Sequence, residues 1–122
     1  MTVYEGVGGM PFFERLVGRF YAGVAGDPIL RPLYPDEDLA DATHRLTLFL
    51  AQYWGGPTTY NDERGHPRLR MRHFPFAIGA TERDRWLGHM RAAVDAEMPP
   101  SEIRDQLLRY FDMAAEAMRN RD

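Results

Sequence analysis

The chain has no cysteine, no lysine and a single serine. Without cysteine it has no disulfide framework, no thiolate metal site and no cysteine nucleophile. The absence suits a reducing compartment. Without lysine there is no Schiff-base amine and no phosphate-loop lysine, so all 15 basic residues are arginine. Ser101 follows Pro99-Pro100, which rules out a G-x-S-x-G nucleophile elbow. No apolar run approaches the length of a membrane span. The opening residues, Met1 to Glu5, lack both a basic stretch and a long apolar one. No signal peptide is therefore expected, and the cytoplasm is the expected location. A net charge of −3 gives no reason to expect a nucleic acid partner.

What is present is ordinary globular material: 122 residues, 44% hydrophobic and 27% charged. That length predicts one domain over residues 1–122, large enough to bury a core. Phe13, Leu16, Val17, Phe20, Tyr21 and Val24 recur at helical spacing and predict a helix from Pro11 to about Gly26. Pro28, Pro32 and Pro35 break the next stretch into short turns. Leu39, Ala42, Leu46, Phe49, Leu50 and Tyr53 mark a second helix, from near Asp38 to before Gly55-Gly56. Residues 57–68 read as irregular, followed by a short helix over Leu69 to His73. A third helix opens at Thr81, where Thr81 and Asp84 resemble a capping box. Ser101 is the expected cap of a fourth. The Val3–Val7 stretch is too short for a strand. The class is all-α, with four main helices. A long 57–68 connection and an apolar, proline-broken 28–35 stretch argue for a walled pocket rather than a plain bundle.

Several residues could carry chemistry. Asp41-x-x-His44 and Glu63-x-x-His66 have the spacing of di-iron bundle ligands, but equally of solvated surface pairs. His73 ends the basic run Arg68-Leu69-Arg70-Met71-Arg72 and precedes Phe74-Pro75-Phe76. A neutral imidazole among apolar neighbours suits a haem iron, and flanking arginines suit haem carboxylates. The same residues also read as a packed, hydrogen-bonded histidine. Tyr21 and Trp86 lie on apolar helix faces, where a phenol or indole needs a hydrogen-bond partner, either a bound molecule or a backbone carbonyl.

Taken in order, these features resemble a known family. They are Gly8-Gly9, Phe20-Tyr21, Tyr34-Pro35, Phe49-Leu50-x-x-Tyr53-Trp54-Gly55-Gly56-Pro57, the segment Gly65 to His73, and Trp86. Over about residues 3 to 119 the chain is similar to the group II truncated haemoglobins. The resemblance implies a two-over-two globin fold around one haem b. It implies His73 as the proximal iron ligand and Tyr21, Tyr34 and Trp86 as distal hydrogen-bond donors. Ala42 falls at the distal gate, with Leu46 facing inward one turn later and Phe49 packing near the haem. His44, about 200° around the helix from Ala42, is expected to face solvent. Further expected haem contacts are Leu50, Tyr53, Leu69, Met71, Phe76 and Met90. Arg45, Arg72 and His66 are expected propionate partners, with Tyr60 a further candidate.

Phenol and indole donors in a dry pocket stabilise negative charge on a bound ligand. The expected function is therefore tight binding of dioxygen, or of another small diatomic or sulfur ligand, with slow release. Nitric oxide oxidation or peroxidase-like chemistry is open on the same site. The former would need a separate reductase, because no flavin or nicotinamide site is visible. The rival is a cofactor-free helical interaction protein whose aromatics are only core. The charged outer faces suggest a monomer or weak homo-oligomer.

Overall fold

The computed structural model describes residues 1–35 and 37–121. Seven α-helices follow one another, and no strand occurs among the described residues. They are α1 (Val3–Gly6), α2 (Met10–Ala25), α3 (Ala40–Tyr53), α4 (Thr59–Arg64), α5 (Leu69–His73), α6 (Ala80–Glu97) and α7 (Glu102–Met118), with a 3₁₀ turn at Arg31–Leu33 between α2 and α3.

The four long helices are those the spacing predicts. All six apolar positions expected on α2 are buried. Phe13, Leu16, Val17, Phe20 and Val24 have no exposed surface at all. α2 packs against α3 and α6, and α6 packs against α7, so the α2–α3 pair lies on the α6–α7 pair. Gly23 permits the α2–α6 approach, since a Cβ there would stand 2.4 Å from His89 Nδ1. Ser101 caps α7 as expected, its Oγ accepting from the Arg104 N–H at 3.1 Å.

Three local readings change. The Val3–Gly6 stretch forms a helical turn, because Thr2 and Glu5 make a reciprocal capping box. The Thr2-x-x-Glu5 pattern was visible in the sequence. Gly55, at φ 104°, gives this turn its seat, since any Cβ there would meet Thr2 at 2.6 Å. Residues 57–68 are less irregular than expected, since α4 occupies their middle. α6 begins at Ala80, one residue earlier than Thr81, with Gly79 as its cap. Glycine has no side-chain oxygen, so only the return bond forms, from the Gly79 N–H to Glu82 Oε1 at 2.8 Å. Asp84 is engaged instead by Arg83.

The polar ties between helices are specific. Glu97 on α6, with only 6% of its side chain exposed, accepts from Arg15 at 2.7 Å and Arg19 at 2.6 Å on α2. These bonds hold the Glu97 carboxyl below its usual range. Among the described residues, no helix is long and apolar enough to cross a membrane.

The α2 face is the densest part of the core, and truncating it leaves a cavity that neighbours cannot fill. Leu16→Ala is expected to lower unfolding free energy by about 2–5 kcal/mol. Urea denaturation of both proteins checks this, and a loss under 1 kcal/mol would mean that the α2 packing is wrong.

Candidate cofactor site

A cavity of about 390 Å³ opens between the two helix pairs. That lies in the range of small-molecule sites. Of the residues named from the sequence, twelve line it: Tyr21, Tyr34, Ala42, Arg45, Leu46, Phe49, Leu50, Leu69, Arg72, His73, Phe76 and Trp86. Tyr60, the further candidate, lines it too.

His73 ends α5. Its Nδ1 lies 2.7 Å from the Leu69 carbonyl oxygen, one turn earlier. A carbonyl can only accept, so Nδ1 carries the proton and donates it. The lone pair is then on Nε2, which is the tautomer and fixed ring that metal-ligating histidines adopt. The short helix thus makes its own ligand geometry: four residues of spacing bring a carbonyl under the ring.

A cluster of hydroxyl and indole groups comes from the other helices. Tyr21 on α2 and Tyr34 after the 3₁₀ turn meet edge to face, with ring centroids 5.5 Å apart. Trp86 on α6 lines the cavity with them. A phenol hydroxyl has one proton to donate and an indole N–H has one. Burial pushes both phenols above their ordinary range, and both stay protonated at neutral pH.

The loop bearing Tyr34 is anchored by Asp27, which is 3% exposed. Its carboxylate accepts from the backbone N–H of Ile29 at 2.8 Å and of Leu30 at 3.2 Å. Across the interface Arg85 Nε donates to both its oxygens at 3.0 Å, and His89 Nε2 donates to Oδ2 at 2.7 Å. Arg85 and His89 flank Trp86 on α6, so one buried carboxylate holds the Tyr34 loop and the Trp86 helix together.

The arginines divide by partner. Arg72 Nε donates to the Pro67 carbonyl at 2.7 Å, and its outer nitrogen to the Arg64 carbonyl at 3.1 Å. Arg83 is paired with Glu116 and Asp84. Among the described residues, neither Arg45 nor Arg64 has a carboxylate within ion-pair distance, and both line the cavity. Arg64 was not expected from the sequence.

Four expected contacts lie off the cavity. Tyr53 is 49% exposed and stacks on Tyr110 at 4.2 Å between centroids. Met71 turns outward and is 61% exposed, because the α5 turn can aim only one side at the cavity. Met90 is wholly buried among core side chains. His66 is exposed, and its Nδ1 accepts from the Arg68 N–H at 3.1 Å. The two carboxylate–histidine motifs are joined only through one exposed pair. His44 Nε2 meets Glu63 Oε1 at 3.1 Å as an exposed pair, as its expected solvent-facing position allows. No group of three or more metal-binding side chains occurs among the described residues. Leu30 and Leu33 of the apolar 28–35 stretch wall the cavity as expected, while Ile78 and the α7 face of Tyr110, Phe111, Ala114 and Met118 were missed. Helical spacing marked that face as buried, but spacing does not distinguish a wall of core from a wall of cavity.

An all-helical chain with two helix pairs around a histidine-lined, flat-ligand cavity is a truncated globin. The family model for bacterial-like globins matches residues 2–120. The group 2 truncated haemoglobin YjbI of Bacillus subtilis is 40% identical over 117 residues, covering 96% of this chain and 87% of that protein. The crystal structure of a thermostable haemoglobin from the actinobacterium Thermobifida fusca superposes with a TM-score of 0.96 at 64% identity, over 98% of each chain. The truncated oxygen-avid haemoglobin of Bacillus subtilis does so with a TM-score of 0.92 at 39% identity, over 98% of this chain and all of that one. The chain belongs to the bacterial-like globin family, as a group II truncated haemoglobin with the two-on-two fold. Globins are haem proteins that bind oxygen, and that general chemistry extends to this chain.

The Asp27 anchor has a pH signature. Arg85 first, and His89 with the two backbone N–H groups, hold its carboxyl well below the ordinary value of 3.8. A depressed folded value gives stability that is fully present above pH 3.8 and lost as pH falls through the folded value. Asp27→Asn should therefore lower the melting temperature at pH 7, and the gap to the wild type should close in acid. Melting curves from pH 7 down to pH 2 test this, and a pH-independent gap would remove the ion-pair account.

Proposed function

We propose that the chain is a haem b protein that binds dioxygen tightly and releases it slowly. His73 is the proximal ligand, and Tyr21, Tyr34 and Trp86 are the donors to the bound ligand. The observation that carries this reading is the state of the groups on one cavity. His73 has its Nδ1 proton held by Leu69 and its Nε2 lone pair available. Tyr21 and Tyr34 keep their phenol protons and line the same cavity with Trp86.

The residues fit the group. Leu46, Phe49, Leu69 and Phe76 offer apolar surface to a flat macrocycle, and Arg45 and Arg64 offer unpaired guanidinium groups to its two propionates. When bound, the haem would supply an iron that His73 would hold and that would bind a small ligand. Ala42, being small, leaves room for that ligand to enter beside α3. Tyr21, Tyr34 and Trp86 would donate hydrogen bonds to a ligand that carries negative charge. The edge-to-face contact of Tyr21 on Tyr34 holds both phenols in place. A donor aimed in advance inside a water-poor site acts more strongly than one that must reorient.

Two measurements test the reading. The purified or haem-reconstituted protein should show a strong visible haem band that shifts on reduction and again under dioxygen. His73→Ala should lose or alter that band. A colourless protein, even after haem is added, would return the chain to the rival reading of a cofactor-free helical interaction protein. Tyr34→Phe should raise the dioxygen off-rate by roughly 10- to 100-fold, since a hydrogen bond to a charged group is worth about 1.5–3 kcal/mol. Tyr21→Phe and Trp86→Phe should raise it as well. Stopped-flow displacement with carbon monoxide gives these rates. Unchanged rates in Tyr21→Phe, Tyr34→Phe and Trp86→Phe together would remove the donor model.

A further inference from the structure

The chain is acidic overall, yet its charge is unevenly placed. Residues 64–79 and 117–121 hold six of the 15 arginines and none of the 18 acidic residues, leaving nine arginines against eighteen carboxylates elsewhere. The two segments are distant in sequence and tied together in space. Asn120 Oδ1 accepts from the Ile78 N–H at 2.9 Å, and Asn120 Nδ2 donates to the Phe76 carbonyl at 2.8 Å.

Where they meet lies a groove separate from the haem cavity, lined by Arg70, Met71, Phe74, Pro75, Met118 and Arg119. Phe74 is 72% exposed and Met71 61%. Two large apolar side chains held out in water contribute nothing to the core, and such a patch marks an interaction site. Among the described residues, Arg70 has no carboxylate within ion-pair distance, while Arg119 reaches only Glu116, at 3.6 Å. An apolar centre with a cationic rim is the anatomy of a protein–protein contact, and its charge selects an acidic partner. Its position narrows the partner further. Phe74 directly follows His73, and Met118 lines both the groove and the haem cavity.

We propose that this groove docks an acidic one-electron carrier protein that reduces the iron, a proposal that rests on the haem reading above. One electron leaves the reduced carrier and arrives on ferric iron, which becomes ferrous, and no proton accompanies it. A partner seated on Phe74 and Met71 is separated from the cavity by the thickness of α5 and the Met118 side chain.

The test uses the haem-loaded protein and a plant-type [2Fe–2S] ferredoxin as the acidic carrier. Binding is followed by calorimetry, and ferric-haem reduction by stopped flow. Binding should weaken and the second-order reduction rate should fall as salt is raised. Arg70→Glu and Phe74→Ser should each lower that rate by about tenfold at low salt. Arg109→Glu, the same charge change on exposed α7 surface, should leave it unchanged. Reduction by dithionite and the visible spectrum should match the wild type in all three. Variants that bind ferredoxin and are reduced by it as the wild type is would overturn the proposal. So would groove-dependent binding to phosphatidylglycerol vesicles without binding to ferredoxin, which would make the face a membrane contact. A protein that takes up no haem would defeat the iron reading instead, and the calorimetric titration would still decide whether the groove binds the carrier.

Discussion

The site depends on one buried carboxylate. Asp27 sits where α2 ends, and alone it would be costly to bury. Four donors from two directions make it stable there: two backbone N–H groups of its own loop, and Arg85 and His89 of α6. Because the donors belong to different elements, the carboxylate fixes their relative position. Tyr34 follows from the loop and Trp86 from the helix, and both line the cavity because Asp27 holds the two sides together. Gly23 allows the helices to come this close, so a residue without a side chain and a residue with a charge serve the same contact.

The two faces of the cavity are built on different principles. His73 is oriented locally, by a carbonyl four residues earlier in its own short helix. Its geometry needs no distant partner beyond the packing that keeps α5 folded against α7. The Tyr21–Tyr34–Trp86 cluster is non-local throughout, with one residue from each of three elements. A change in how the helix pairs lie on each other would reach the donors and leave the histidine tautomer untouched. The aromatic side of the cavity is therefore adjustable without disturbing the histidine on the other.

Much of this was legible in the chain itself. The four long helices followed from apolar spacing, and the α7 cap from Ser101. The resemblance carried by Tyr53-Trp54-Gly55-Gly56-Pro57 and Arg70-Met71-Arg72-His73 led to the fold. Twelve residues named from sequence line one cavity, although they come from four helices and from the segments after the 3₁₀ turn and after α5. The misses have a common cause. Tyr53, Met71 and Met90 lie within a turn or so of residues that line the cavity, but a helix turns 100° per residue, so neighbours in sequence diverge in direction. Arg64 was passed over because nothing in a run of polar residues tells which guanidinium will find a carboxylate. The α1 turn was missed although Thr2 and Glu5 announced it, because a four-residue helix has too little apolar pattern to notice.

The sequence by itself determined the local quantities: which stretches are helical, which face of each is apolar, where caps fall, and which chemistries are absent for want of cysteine and lysine. These depend on residues within a turn or two of each other. The tertiary structure alone decided the pairings between distant groups. It joined Asp27 to Arg85 and His89, brought Tyr21 and Tyr34 edge to face, turned Met71 and Phe74 outward, and set Arg70 and Arg119 at one groove. Such pairings depend on the angle and distance at which helices pack. Those are set by the sum of many small contacts across the core, which no short window of sequence contains.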